Sequence, residues 1–281
     1  MLQKWLARLP RPLRFVLRLF WRGANENIGA YAASAAFFII LALFPALMLL
    51  SSILSFTPLS QVDLSEAFSS ILPAALMPLI RYVAQDLLSM DSIAVISVTA
   101  VLAVWSSSRG VYGVMVGINA VFHTQDGRNY LVSRLIGVVY TIFLLLALLV
   151  TLALHVFGKL ILGFLQERLP ALTGELSLIS VFRFFFTMVF LTLIFTLFYL
   201  GLPNRRAKLK YCIPGAFLAA LGWLAFSSIF SIYVTHFSGY SAFYGSLATL
   251  ALFMLWLYIC MIILLYGGIF ISMLSEHEHR P

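Results

Sequence analysis

Residues 92–122 read SIAVISVTAVLAVWSSSRGVYGVMVGINAVF and contain one charged residue, Arg109. A continuous helix of this length would measure about 46 Å, whereas a bilayer core of about 30 Å takes roughly 20 residues. The run is therefore too long for one crossing and too short for two. Its middle, WSSSRG at 105–110, combines three hydroxyls, a guanidinium and a glycine that disfavours helix. We predict a transmembrane helix at 92–108, a break, and a short amphipathic or re-entrant piece at 110–122.

A break at membrane depth has a consequence for the rest of the chain. Backbone groups that leave a helix are tolerated in a bilayer only where protein or a water-filled cavity satisfies their hydrogen bonds. The predicted break therefore implies that the other helices build a polar cavity around it.

The composition of the chain identifies an integral membrane protein. Of its 281 residues, 62% are hydrophobic and 10% are charged, and the mean hydropathy is +1.02. Soluble domains are about 25% charged. The first long apolar run begins near Gly29 and far exceeds the core of a cleaved signal peptide. Cys212 and Cys260 both lie in apolar runs, where free cysteine acts as a small hydrophobe, so no disulfide is predicted.

The alternation of apolar runs and polar turns predicts an all-α polytopic protein with a single transmembrane domain at 1–281. A basic interfacial segment at 1–26 precedes six transmembrane helices at 29–56, 92–108, 135–158, 179–202, 211–235 and 246–274. An uncharged connector at 236–245 joins the last two helices. The stretch 67–80 is uncharged but interrupted by two prolines, and it is too short to cross. We predict that it is a re-entrant or interfacial helix.

Lysine and arginine predict the orientation of these helices. With six crossings, both termini share one side with the segments 109–134 and 203–210. That side holds fourteen of the 18 lysines and arginines, and six of the ten acidic residues lie on the other. We therefore predict cytoplasmic termini.

Two basic segments are expected to bind membrane lipids. Arg11, Arg14, Arg18 and Arg22 recur at i, i+3, i+7 and i+11, so they share one face of a helix. A basic helix of this kind lies in the headgroup layer. An RNA-binding arm is the disfavoured alternative, and no nucleic-acid partner is expected. The predicted contacts to anionic headgroups are Arg11, Arg14, Arg18, Arg22, Arg205, Arg206, Lys208 and Lys210.

Motifs in the second half of the chain resemble the YihY/BrkB family of bacterial inner-membrane proteins. They are LPNRR at 202–206, IPGA at 213–216, FSIY at 230–233, YGSLA at 244–248 and WLY at 256–258, with Tyr31 to Pro45 and Asn119 in the first half. The resemblance implies a six-helix fold in the bacterial inner membrane. It implies no single activity, because members have been called ribonucleases, serum-resistance (virulence) factors, transporters and lipid flippases. Where the family's last helix often reads Gly-Ala-Glu, this chain has Gly267-Gly268-Ile269.

Ionisable groups inside a membrane are functional candidates by default. No Asp or Glu lies in any predicted transmembrane helix, and Arg109 is the strongest cationic candidate. Arg109 either snorkels to the interface or lines a cavity, where its guanidinium can hold an anionic group. Asn119 either joins this cavity or bonds a neighbouring helix. The serines that would share the cavity are Ser106, Ser107 and Ser108. Gly110, Gly113 and Gly117 share a face that favours close packing against another helix.

A second candidate group lies toward the opposite membrane surface. His155 either hydrogen-bonds another helix or relays protons. The remaining members form either an amphiphile-binding mouth or an aromatic belt at headgroup level. They are Tyr233, His236, Tyr240 and Tyr244.

These features favour transport over catalysis. The sequence has no P-loop or zinc-ligand spacing, and it lacks the clustered carboxylates that metal-dependent phosphodiester cleavage uses. We therefore expect no catalytic residue, cofactor or metal, and the ribonuclease interpretation is disfavoured. The favoured function is a transporter or flippase-like protein that moves an amphiphile, a lipid or an organic anion without ATP on this chain. The alternative is a non-transporting scaffold for envelope assembly.

Overall fold

The computed structural model describes residues 10–55, 93–124, 127–144, 146–147, 176–204, 207–236 and 239–278, and all regular structure within these ranges is helical. The seven helices are α1 (Arg11–Asn25), α2 (Ile28–Ser55), α3 (Ile93–Val121), α4 (Tyr130–Leu144), α5 (Leu176–Gly201), α6 (Leu209–His236) and α7 (Gly239–Glu278). Segments of α5, α6 and α7 are long and apolar enough to cross a membrane. The predicted all-α membrane class is confirmed, while the count of six crossings stays a prediction. The stretch 67–80 lies outside the described residues.

The predicted break in the second transmembrane segment was wrong. Helix α3 runs without interruption through WSSSRG and ends at Val121. The Ser108 hydroxyl donates to the carbonyl oxygen of Trp105, 2.8 Å away, so it is satisfied inside the helix. A helical glycine costs only about 1 kcal/mol relative to alanine, and packing of α2 against Gly110 offsets that cost. Residues 110–121 of the predicted re-entrant piece form the C-terminal part of this one helix.

The connector predicted at 236–245 is shorter than expected. Helix α7 begins at Gly239 and ends at Glu278, so it contains forty residues and replaces the predicted helix at 246–274. The connector contains no proline, and helix propensity therefore does not prevent the helix from starting early. At about 60 Å, α7 is twice the thickness of a bilayer core and must extend beyond it. Helices α2, α5 and α6 begin and end within three residues of the predicted limits.

Helix α7 is the central element of the described bundle. It packs against α1, α2, α3 and α6, while α2 pairs extensively with α3 and α5 pairs with α6. Small residues bring α2 and α3 close: a Cβ placed on Gly113 would lie 3.0 Å from the Cα of Ala35. Three glycines of α3 contact residues of α2: Gly110 contacts Ile39, Gly113 contacts Ala35, and Gly117 contacts Tyr31. The shared glycine face is therefore a helix-packing face, the reading favoured from the sequence.

Aromatic side chains lock α5, α6 and α7 together. The fully buried Tyr199 donates its hydroxyl to the carbonyl oxygen of Leu264, 2.5 Å away. Trp223 and Trp256 meet edge to face with ring centroids 5.7 Å apart, and the Trp256 indole donates to the Ser227 hydroxyl. These directional contacts add to apolar packing, which in a membrane is the main force between helices.

Candidate functional site

Arg109 lies on the exposed face of α3. Its guanidinium carbon is 5.7 Å from the centroid of the Phe38 ring. Trp105 and Tyr112, one turn away on either side, are also exposed, so these three side chains form one outward stripe. Of the serines predicted to share a cavity with Arg109, Ser106 and Ser107 are half-buried, and Ser108 is fully buried. The structure therefore separates Ser108 from Arg109 by turning them to different sides of the helix.

A different arginine is buried beside this stripe. Arg134, on α4, is 9% exposed, and its guanidinium carbon lies 4.1 Å from the centroid of the Trp105 ring. Its Nη2 donates to the Trp105 carbonyl oxygen, 3.0 Å away. Its Nε is buried and has no hydrogen-bond partner among the described residues. No carboxylate of the described residues forms a salt bridge with Arg134. Arg134 is thus a buried cation held by an aromatic face and one carbonyl.

Position and packing explain how Arg134 becomes buried. Helix α4 crosses α3 where Gly137 approaches Ser108, and a Cβ on Gly137 would lie 2.9 Å from the Ser108 carbonyl oxygen. Because Gly137 has no side chain, α4 lies close enough to α3 for Trp105 of α3 to cover Arg134. Sequence reasoning assigned Arg134 to the polar turn that precedes a transmembrane helix. The available signal was its position directly before the apolar run that begins at residue 135.

Asn119 is buried, but it binds a turn. Its Oδ1 accepts hydrogen bonds from the backbone N–H of Asn204, at 2.8 Å, and from the Thr124 hydroxyl, at 3.1 Å. Arg128 donates to the carbonyl oxygens of Leu202 and Pro203, at 3.2 and 3.1 Å. Together these side chains hold the turn between α5 and α6 against the end of α3. Asn119 therefore bonds the turns that follow α3 and α5, and whether it also contributes to a substrate cavity stays a prediction.

The candidate group predicted near the opposite surface is described only in part. Tyr233 is exposed, and the exposed His236 has its Nδ1 2.9 Å from the carbonyl oxygen of Ile232. His155 lies outside the described residues, as do the side chains of Tyr240 and Tyr244. Whether these residues form a mouth or an aromatic belt stays a prediction.

Helix α1 presents three distinct faces. One face packs on the bundle, where the rings of Phe15 and Phe270 meet with centroids 5.5 Å apart. A second face carries the arginines, of which Arg18 is exposed. The third is apolar and exposed, and it consists of Leu13, Val16, Leu17, Phe20 and Trp21. An exposed apolar face beside a basic face is typical of helices at the level of lipid headgroups, the position predicted for this segment.

The remaining predicted lipid contacts are in the turn before α6. Lys208 and Lys210 are exposed, and the Lys210 ammonium lies 4.8 Å from the Tyr211 ring centroid. The structure does not describe Arg205, Arg206 or the side chain of Arg11. Lipid binding by the basic set stays a prediction.

An ion-pair cluster joins α1 to α7. The Arg22 guanidinium lies 2.7 Å from Glu26 Oε1 and 2.9 Å from Glu276 Oε1, and it donates to the Ser272 hydroxyl at 3.0 Å. Burial alone would lower the pKa of Arg22, but hydrogen bonds and charge attraction from Glu276 and Glu26 outweigh burial and raise that pKa. Nε2 of His123, just beyond α3, lies 3.3 Å from the same oxygen of Glu26.

The ion-pair cluster borders an open cleft of about 460 Å³, whose lining residues are Trp21, Arg22, Asn25, Glu26, His123 and Glu276. Sequence reasoning used Arg22 only as a lipid contact and did not single out the other five. Their common signal was that each lies at the end of a predicted helix on the same side of the membrane. No group of three histidine, cysteine or acidic side chains suited to a metal ion occurs among the residues that the structure describes.

Fold and site together define an α-helical membrane protein. The sequence profile of the virulence factor BrkB family matches residues 20–281. The chain belongs to this family, which confirms the resemblance seen in the sequence.

Relatives match along nearly the whole chain. YfkH of Bacillus subtilis, which is named for a likeness to ribonucleases, is 29% identical over 269 residues, covering 96% of this chain and 98% of the relative. A UPF0761 membrane protein of Haemophilus influenzae is 27% identical over 263 residues, covering 92% and 94%. Another from Alteromonas mediterranea is 27% identical over 290 residues, covering 96% and 92%. No solved structure matches the chain.

Proposed function

We propose that this protein moves an amphiphile with an anionic group, such as a lipid, or an organic anion across the bacterial inner membrane. Both termini would face the cytoplasm, and no ATP would be used on this chain. The observation that carries the proposal is Arg134, a buried guanidinium with no carboxylate partner among the described residues. A charge buried in a membrane bundle is costly, so it marks a functional site by default.

The chemistry of Arg134 favours an anionic substrate. The Trp105 ring and carbonyl stabilise the cation without neutralising it. Its unpartnered Nε–H can therefore donate a charge-assisted hydrogen bond to a phosphate or carboxylate. Arg109 would receive the same headgroup at the exposed surface of α3, where lipid has direct access. The proposal no longer rests on a broken helix, since α3 is continuous.

The experiment uses the purified full chain in vesicles. One assay follows a fluorescent anionic phospholipid whose outer-leaflet copies are chemically quenched, and a second follows efflux of an organic anion. We expect the wild type to accelerate at least one process and Arg134→Leu to slow it about tenfold, the loss of roughly one charge-assisted hydrogen bond. Arg109→Leu is the matched control, because it removes an exposed arginine, and its effect should be smaller. Absence of flux in the wild type, or unchanged flux in Arg134→Leu, would refute the proposal.

A scaffold for envelope assembly is the second candidate. It is favoured by the interlocked aromatic core of α5, α6 and α7, which resists the helix movements that alternating access needs. Copurification of envelope-assembly proteins, with no flux in either vesicle assay, is the outcome that this candidate predicts.

A membrane-bound ribonuclease is less well supported than either the transporter or the scaffold. This is the activity to which the name of YfkH refers. Phosphodiester cleavage usually needs clustered carboxylates with metal ions or a histidine pair. Purified protein should leave RNA intact with added Mg²⁺ or Zn²⁺. RNA cleavage by the wild type that follows the protein through purification would reverse this ranking.

A further inference from the structure

A second polar site lies apart from Arg134, in the cleft between α1, α3 and α7. Its most unusual group is Glu26, whose side chain is only 9% exposed. Oε1 of Glu26 faces Arg22 and His123, but Oε2 is buried and has no hydrogen-bond partner among the described residues. A buried carboxylate oxygen without a donor is costly, so a ligand that donates a hydrogen bond there gains that energy on binding.

The backbone fixes the carboxylate and the imidazole at the cleft. The chain leaves α1 through Asn27 and leaves α3 through His123, and both have a φ of 51°. This left-handed conformation is uncommon outside glycine, although Asn and His adopt it more readily than most residues. The two turns bring Glu26 and His123 together. The imidazole is 61% exposed, which makes it the cluster's most exposed side chain and the one able to turn aside from Glu26.

The cleft has the composition of an ammonium site. Glu276, 52% exposed, adds a second carboxylate at the rim, and Arg22 is the one permanent cation of the lining. Apart from His123, the charged side chains of the lining therefore carry a net charge of about −1. Trp21 adds an exposed aromatic ring, which attracts cations through its face. A cleft of about 460 Å³ falls within the size range of small-molecule sites.

The location points to a lipid. The exposed apolar face of α1 includes Trp21, so it places the cleft at the level of the headgroups. The arginines of the adjacent face are suited to the phosphate of the same headgroup. We propose that this cleft binds the primary ammonium of an aminophospholipid headgroup, with Glu26 Oε2 as the hydrogen-bond acceptor. The inference goes beyond the transport proposal, because it concerns different residues and a cationic group.

The test compares three phospholipids with identical acyl chains: phosphatidylethanolamine, phosphatidylcholine and phosphatidylglycerol. Binding to the purified full chain is measured by native mass spectrometry. The ethanolamine and choline headgroups carry the same charges, but only ethanolamine has N–H donors. We expect phosphatidylethanolamine to bind about tenfold more tightly than phosphatidylcholine. Equal binding of these two lipids by the wild type would overturn the inference without any variant.

Two carboxylate variants separate ligand binding from anchoring of α1. Glu26→Gln should remove the preference for phosphatidylethanolamine and leave phosphatidylglycerol binding unchanged. Glu276→Gln also removes a carboxylate partner of Arg22 but keeps the Glu26 carboxylate, so most of the preference should remain. Equal loss in both variants would mean that the preference reflects the anchoring of α1, which contradicts the assignment of Glu26.

Two further arms complete the test. Trp21→Leu changes an exposed residue and should weaken phosphatidylethanolamine binding a few-fold even if Glu26→Gln does not fold. Free phosphoethanolamine should compete only at concentrations far above those of the lipid. If it competes as well as the lipid does, the site takes a soluble amine, and the assignment to a lipid is wrong.

Discussion

Replacing Arg134 by leucine should remove function while leaving stability nearly unchanged. Inserting an arginine at membrane depth costs about 2.5–3.5 kcal/mol on translocon-based scales. Against this, a desolvated cation–π contact contributes about 2 kcal/mol, and a hydrogen bond from a charged donor about 1.5–3 kcal/mol. The two contacts with Trp105 thus roughly offset the cost of burying the charge. We expect Arg134→Leu to change the free energy of unfolding by less than about 1 kcal/mol.

The measurement is equilibrium unfolding of purified protein in lipid–detergent micelles. Trp256→Ala is the reference, because Trp256 is 2% exposed and anchors the aromatic core. Truncating a buried tryptophan typically costs about 3–5 kcal/mol. A loss comparable to that reference in Arg134→Leu would identify Arg134 as a structural anchor. The argument that its burial marks an anion site would then be refuted.

Three further predictions concern the described contacts. Gly113→Leu should destabilise the α2–α3 pair by about 1–3 kcal/mol, because its Cβ would begin 3.0 Å from the Ala35 Cα; Ala33→Leu, on an exposed position of α2, is the control, and equal unfolding midpoints would contradict this packing. Asn119→Ala should expose the α5–α6 turn to proteolysis after Arg205 or Arg206, because the Asn204 N–H loses its acceptor; an unchanged cleavage rate would contradict this. Arg22→Gln and Glu276→Gln should be non-additive in a double-mutant cycle by roughly 0.5–1 kcal/mol. Additive effects would mean that their 2.9 Å contact does not anchor α1.

Helix identity was predictable, whereas helix interruption was not. Apolar runs indicated the long helices of the described ranges, because burial in lipid demands internally paired backbone. The interruption at WSSSRG was inferred from local propensity, but those penalties are about 1 kcal/mol each. A hydroxyl that bonds its own helix and a neighbouring helix that packs on Gly110 offset them. Propensity therefore cannot decide the course of a helix whose partners are unknown.

The two arginines of the second and third hydrophobic runs illustrate the same limit. Sequence position made Arg109 the strongest candidate for a buried cation, because it interrupts a long apolar run. It placed Arg134 in a polar turn, because Arg134 precedes such a run. Their environments are reversed because burial depends on which face a crossing helix covers. Gly110, Gly113 and Gly117 indicate the side of α3 that meets α2, but they contain no information about α4. Gly137, on α4 itself, allows the close crossing that encloses Arg134, and a lone glycine in an apolar run does not identify its partner.

Position 269, where the family resemblance led us to expect an acid and the chain has isoleucine, bears on the transport proposal. Ile269 on α7 is completely buried, and Gly267, two residues before it, lies against Tyr199 and Ala219. A carboxylate at 269 would need a cation or hydrogen-bond donors to be tolerated there, and isoleucine removes that need. Among the described residues, helices α3 to α6 contain a buried arginine and no acidic residue. The transport proposal therefore relies on the pairing of a guanidinium with an anionic substrate.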